Sequence, residues 1–165
     1  MTKKDTTELH TKVEFWDNLK EVHAVMLTIE SSGQHPQPMA PQLDPDSNSI
    51  WFFTNRESDL FGALATSELA RLIFIGKNHN YHASVSGSIR ENKNADKVNE
   101  YWNPVIAAWF DGGKDDPNMT LLQMNCTEAI IWASSGNPIK FAWEIAKANL
   151  KNDDPDIGTR TIIRF

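Results

Sequence analysis

The stretch Thr54-Asn55-Arg56-Glu57-Ser58 is where residue type and spacing most directly suggest chemistry. A threonine followed three residues later by a glutamate, after an apolar run and before a helical pattern, has the spacing of a capping box. The helix start it predicts presents backbone N–H groups and the positive end of a peptide dipole, the ingredients of a phosphate site. Thr54, Asn55 and Ser58 add hydroxyl and amide groups, and Arg56 adds a cation. The same residues also fit a plain capped surface helix whose dipole is answered by Glu57 and Asp59.

Six tryptophans, at 16, 51, 102, 109, 132 and 143, offer aromatic planes that can stack on a flat ligand. They read first as core or dimer-interface anchors, and Trp102 and Trp109 share a helical stripe that favours core. His79 and His82 lack the helical setting of a metal-binding pair, since they stand at a strand entrance. His82 reads as a hydrogen-bonded strand histidine, with a ligand-facing role as the alternative. Asp111, Asp115 and Asp116 beside Gly112 and Gly113 lack the spaced ligands and closing glutamate of a calcium loop and read as a turn cluster. No serine stands in a nucleophile elbow. The single cysteine, Cys126, excludes an intrachain disulfide and a cysteine-rich zinc site, and reads as a small buried residue.

Several elements must position these groups. Leu9, Val13, Trp16 and Leu19 lie on one face of a helix over 7–20. Residues 22–29 read as a strand that ends in the turn Ser31-Ser32-Gly33. Prolines at 36, 38 and 41 cannot donate to a ladder, so a strand over 37–43 must lie on an edge or carry a bulge. Ile50–Thr54 is the next strand, a helix runs from about Glu57 to Thr66 with Leu60, Phe61 and Leu64 inward, and strands follow at 70–75 and 81–90. Val98, Trp102, Val105 and Trp109 keep a helical period that Pro104 divides, with Asn103 as a cap. Strands around 120–124 and 128–132 precede a helix starting at Asn137-Pro138. About six strands with flanking helices, and no Gly-rich phosphate loop after the first strand, predict an antiparallel α+β barrel rather than a doubly wound sheet.

At 165 residues the chain has the length of one domain, with its core over about 8–150 and a tail over 151–165. A net charge of −6 argues against a nucleic-acid partner. No apolar run follows the N-terminal lysines and none approaches bilayer length, so the expectation is a soluble, cytoplasmic protein without membrane contact.

Read in order, Gln37-Pro38-Met39-Ala40-Pro41-Gln42, Ile50–Thr54 and Tyr81–Gly87 resemble the successive barrel strands of the general stress protein branch of the pyridoxamine 5'-phosphate oxidase-related family. The block from Trp102-Asn103-Pro104 through Trp109-Phe110-Asp111-Gly112-Gly113 to Asp115-Asp116-Pro117 is its most distinctive part. The resemblance implies a split β-barrel and a homodimer with two FMN sites at its interface. It places the strand holding Met39 and Ala40 along the flavin ring, and Gln37 and Gln42 beside it among the cofactor-binding residues. Phe53, Thr54, Asn55, Arg56 and Ser58 fall at the ribityl chain and phosphate, and Tyr81 and His82 elsewhere in the pocket.

The chain also departs from the family. Gln37 stands where relatives commonly carry Arg, and Leu60 where they carry Lys. The oxidases place Arg at the position of Asp59 and Lys at that of Gln42. Losing one charge-assisted phosphate contact costs roughly 1.5–3 kcal/mol, so the resemblance implies weakened FMN binding. The expectation is an FMN-binding general stress protein, with flavin-dependent oxidoreductase chemistry carried by the cofactor. The absence of an Arg- and His-bearing motif near the C-terminus argues against pyridoxamine phosphate oxidation itself. The alternative is a non-enzymatic split barrel, a binding or scaffold protein that has lost tight FMN binding.

Overall fold

The computed structural model describes residues 3–66, 68–134, 146–147 and 158–165. An N-terminal helix, α1 (Lys3–Lys20), precedes the strands β1 (Val25–Ile29), β2 (Gln37–Met39), β3 (Gln42–Asp44) and β4 (Ser49–Asn55). A short helix α2 (Asp59–Ala63) leads to β5 (Leu69–Ile75) and β6 (Tyr81–Glu91). Helices α3 (Ala95–Tyr101) and α4 (Pro104–Ala107) then precede β7 (Met119–Ser134) and β8 (Gly158–Arg164).

The eight strands of the described residues form one antiparallel sheet in the order β2-β1-β5-β6-β7-β4-β3, with β8 also paired to β7. The order begins with β2 and ends with β3, and only Ala40 and Pro41 separate those two strands in the chain. A two-residue connection between opposite edges forces the sheet to curl until its edges nearly meet. This is the expected α+β split barrel. The proline-rich segment supplies both edges, because Pro38 and Pro41 would each break a ladder that needed their N–H.

Alternation on the strands sorts the side chains. On β6, Tyr81, Ala83, Val85 and Ile89 point into the core, while His82, Ser84, Ser86, Ser88 and Arg90 point out. Phe52, Leu72, Leu122 and Met124 fill the barrel beside them. Phe15, Trp16 and Leu19 of α1 plug one end, where Phe15 packs edge-on against Phe74 with ring centroids 5.6 Å apart.

Several expectations are corrected here. The buried side of α1 is Phe15, Trp16 and Leu19, whereas Leu9 and Val13 are exposed in this chain. The two strands expected around 120–132 are one 16-residue strand. It remains continuous because a bulge opposite Ser86 and Gly87 absorbs the extra residue at Thr127. The tail contains a strand, β8, that brings the count to eight. Trp109 is 80% exposed and Val105 73%, so their stripe does not face the core of this chain. The division at Asn103-Pro104 is as expected: Asn103 Oδ1 accepts from the N–H groups of Val105 and Ile106, and Pro104 takes the first helical position. The helix expected to start at Asn137-Pro138 lies almost entirely outside the described residues.

Candidate functional site

An open cleft of about 740 Å³ lies where the β1–β2 loop faces the turn between β4 and α2. One wall is Ser32, Gly33, Gln34, His35, Pro36 and Gln37. The other is Arg56, Glu57, Ser58 and Asp59, with Gly62, Ala63 and Thr66 of α2 and the turn after it. Its size falls within the usual small-molecule range.

Gln34 shapes the first wall. Its Oε1 accepts from the backbone N–H of Ile29 at 3.0 Å and from Thr28 Oγ1 at 3.2 Å. The turn before it passes through Ser31 and Gly33, both with positive φ, and Ser32 Oγ donates to Ile29 O at 2.7 Å. Gln37 opens β2, opposite Leu27, and its amide donates to the Met39 sulfur at 3.4 Å.

The second wall is built differently from the predicted capping box. Thr54 is a buried residue of β4, and the N-cap of α2 is Ser58, whose Oγ accepts from the Phe61 N–H at 3.2 Å. The Thr54 and Ser58 hydroxyls are 3.0 Å apart, and Asn55 Oδ1 accepts from the Glu57 N–H at 2.8 Å. The helix is only five residues long, so its dipole is small and Ser58 already serves one of its first N–H groups. What the wall offers an anion is therefore hydroxyls and Arg56. Arg56 is the one Arg or Lys among the described residues lining this cleft, and its guanidinium is paired with Glu91. Leu60, where relatives commonly carry Lys, is fully buried in the core.

The nominated residues divide into groups. Gln37, Arg56 and Ser58 line the cleft together, and Thr54 and Asn55 brace its turn. Met39 and Ala40 stand at the seam of the barrel, and Gln42 lies across it on β3, opposite Trp51. Phe53 is on the outer face of β4, where its ring meets Trp102 edge-on at 5.9 Å. Tyr81 and His82 are remote in one chain, since they pair with Ala133 and Trp132 of β7 whereas Thr54 pairs with Thr120. His82 is exposed on the outer face. Tyr81 is buried against Phe74, and burial holds its phenol well above the ordinary tyrosine value. Its hydroxyl, like Trp51 Nε1, has no hydrogen-bond partner among the described residues.

Sequence reading missed the Ser32–Pro36 wall and Glu91. The turn Ser31-Ser32-Gly33 followed by a polar Gln34 was the available signal for the former. Nothing local pointed to Glu91. The aspartate cluster is a turn, as expected: Asp116 carboxylate oxygens accept from the N–H groups of Gly112 at 3.1 Å and Asn118 at 2.8 Å. Cys126 is buried, which pushes its thiol up to about 12 and leaves no reactive thiolate at neutral pH.

A barrel whose edges meet at Gln37–Gln42 and whose open cleft lies beside Ser58 can be set against known proteins. Residues 10–156 match the family described as pyridoxamine 5'-phosphate oxidase like. The chain belongs to that family. Among solved members of similar fold, the protein described as general stress protein 26 from Jannaschia sp. CCS1 is 32% identical with a TM-score of 0.78, covering 95% of this chain and 99% of that one. The general stress FMN/FAD binding protein of Xanthomonas citri is 37% identical with a TM-score of 0.67, covering 74% of this chain and 87% of that one. Protein bli-3 of Neurospora crassa is 28% identical over 106 residues, 59% of this chain; the match spans about half of that curated relative's length, 51%. These pyridoxamine 5'-phosphate oxidase-like relatives include general stress proteins. Among the described residues, no helix is long and apolar enough to cross a membrane.

Proposed function

We propose that this chain is an FMN-binding general stress protein that works as a homodimer in the cytoplasm, with the flavin phosphate in the cleft between Gln37 and Ser58. The observation that carries this reading is that Gln37, Arg56 and Ser58 converge on one cleft. The residues present fit the group: a Ser hydroxyl, glutamine amides and one guanidinium are a phosphate and ribityl donor set. Met39 and Ala40 at the seam provide strand edge beside the flavin ring. When bound, FMN supplies hydride and electron transfer. Ser58 and Arg56 would hold its phosphate, opposite the Gln34 loop that walls the same cleft. His82, exposed on the outer face, reaches such a site only from a second chain, whereas Tyr81 points into the core of its own chain.

The homodimer is supported by an apolar stripe on the outer face of the barrel. Met26 and Ile73 are register partners, and Ile75, Trp132 and Ile162 continue the stripe; all five are exposed in this chain. A stripe of that kind on a monomer marks an interaction surface, and a second copy satisfies it by twofold symmetry.

One observation favours the non-enzymatic scaffold reading instead. The cleft sets Glu57 and Asp59 against a single guanidinium that Glu91 already neutralises. Titration with FMN, FAD and riboflavin decides between them. The flavin reading expects quenched flavin fluorescence and a raised melting temperature with FMN. If all three leave both readouts unchanged, the cofactor reading fails and the scaffold reading stands.

A further inference from the structure

Arg56 is the one guanidinium among the described residues lining the cleft, and its surroundings decide how much of its charge a ligand feels. It follows β4 directly, and its backbone N–H donates to Asn118 O at 2.8 Å. Its guanidinium carbon lies 5.4 Å from the centre of the Phe61 ring. The guanidinium donates to Oε1 of Glu91, the last residue of β6, thirty-five residues away in sequence. The same oxygen accepts from Thr120 Oγ1 at 2.6 Å, and Lys93 Nζ stands 4.0 Å from it. Glu91 thus gathers two hydrogen-bond donors, at the ends of β4 and β7, and a more distant ammonium just after β6. Neither partner of the ion pair is more than about a third exposed, with side chains 29% and 32% accessible for Arg56 and Glu91, so water screens it only partly.

We infer that Glu91 sets the cleft's selectivity for phosphorylated over unphosphorylated ligands by holding and neutralising Arg56. This rests on the flavin reading of the cleft and names a determinant of the phosphate-bearing class within it. The guanidinium has five N–H donors in a fixed fork, so donors remain while Glu91 holds one side. A phosphate entering beside Ser58 competes with Glu91 for the same positive charge. A neutral ligand of the same shape does not. Glu91 is a positioning residue here, acting on the ligand through Arg56.

The test is Glu91→Gln, which keeps an oxygen for Thr120 and Arg56 while removing the negative charge. FMN should bind roughly tenfold tighter to the variant, the scale of one released charge-assisted contact, while riboflavin affinity changes less than about twofold. The FMN gain should shrink as salt is raised. Equal changes for FMN and riboflavin, or weaker FMN binding by Glu91→Gln, overturn the inference and leave Glu91 a structural strand-end anchor. A second readout does not need a flavin: the Arg56 Nε–H NMR resonance titrated with inorganic phosphate. It should move at several-fold lower phosphate in Glu91→Gln than in the parent chain. If neither form binds any flavin, the flavin reading falls. The phosphate titration then still decides the role of Glu91, and identical titrations in the two forms overturn it.

Discussion

Thr54 and Ser58 face each other hydroxyl to hydroxyl at 3.0 Å, closing the turn that carries the cleft wall. Ser58 Oγ also caps α2 through Phe61, so one atom serves both the fold and the ligand wall. Ser58→Ala should cost about 1 kcal/mol of cap energy, read as a melting temperature roughly 2–4 °C lower. It should also weaken FMN roughly ten- to a hundredfold, the worth of one charge-assisted hydrogen bond to phosphate. Thr54→Val leaves the cap in place and should produce a smaller loss of both. Calorimetry and fluorescence titration measure the two effects separately.

Asp59 and Leu60 are adjacent, yet the structure separates their roles. Asp59 is exposed on the cleft wall, whereas Leu60 is fully buried in the core. Asp59→Arg therefore converts repulsion into attraction and should tighten FMN about tenfold or more, with riboflavin little changed. Leu60→Lys restores the residue type that relatives commonly carry but forces a cation into apolar packing. It should lower the melting temperature by roughly 5–15 °C, as expected for losing a buried leucine. A Leu60→Lys chain that melts normally and binds FMN tightly would contradict the burial of that position.

What was legible in the sequence follows from how local each cause is. Pro38 and Pro41 announced sheet edges because a missing N–H is a property of the residue itself. Asn103-Pro104 announced a helix boundary for the same reason. The face of α1 was misread because a 3.6-residue period shows that a stripe exists, and Phe15 rather than Val13 meets the barrel only through tertiary packing. The long β7 looked like two strands because the polar residues Asn125 and Thr127 interrupt the apolar pattern at the bulge. At the site, the turn after β4 was legible from its polar residues, but its cap was placed at Thr54 rather than Ser58. The Arg56–Glu91 pair joins strands that only the sheet order brings together, and no spacing rule reaches that far.

The loop before β7 should be sensitive to acid. Asp116 is held below the ordinary aspartate value of 3.8 by the N–H of Asn118 first and that of Gly112 second. A depressed folded-state value means its contribution is fully present above the unfolded value and is lost as pH falls through the folded one. Asp116→Asn should therefore melt lower than the parent chain at neutral pH, by a constant margin down to about pH 5. That margin should close as pH drops below 3.8. A margin independent of pH would mean that the amide replaces the carboxylate and that charge plays no part.

The final prediction concerns assembly. Ile73 lies in the middle of the outer stripe, with Met26 beside it on β1 and Ser84 on β6, and its side chain is 45% exposed in this chain. An aspartate there costs an isolated chain little, because surface substitutions usually change stability by no more than about 0.5 kcal/mol. In a twofold interface the same substitution places two carboxylates near one another in apolar surroundings, which is costly for both. Ile73→Asp should therefore give a monomer by light scattering at concentrations where the parent chain is a dimer. Its melting temperature should become independent of protein concentration, because mass action no longer couples folding to association. FMN binding should weaken as the dimer is lost, since His82 is remote from the cleft within one chain. Trp109→Ser, which alters the most exposed large apolar side chain among the described residues, serves as the comparison. If Trp109→Ser yields the monomer and Ile73→Asp does not, the interface is formed by α4 and the loop after it rather than by the outer face of the barrel.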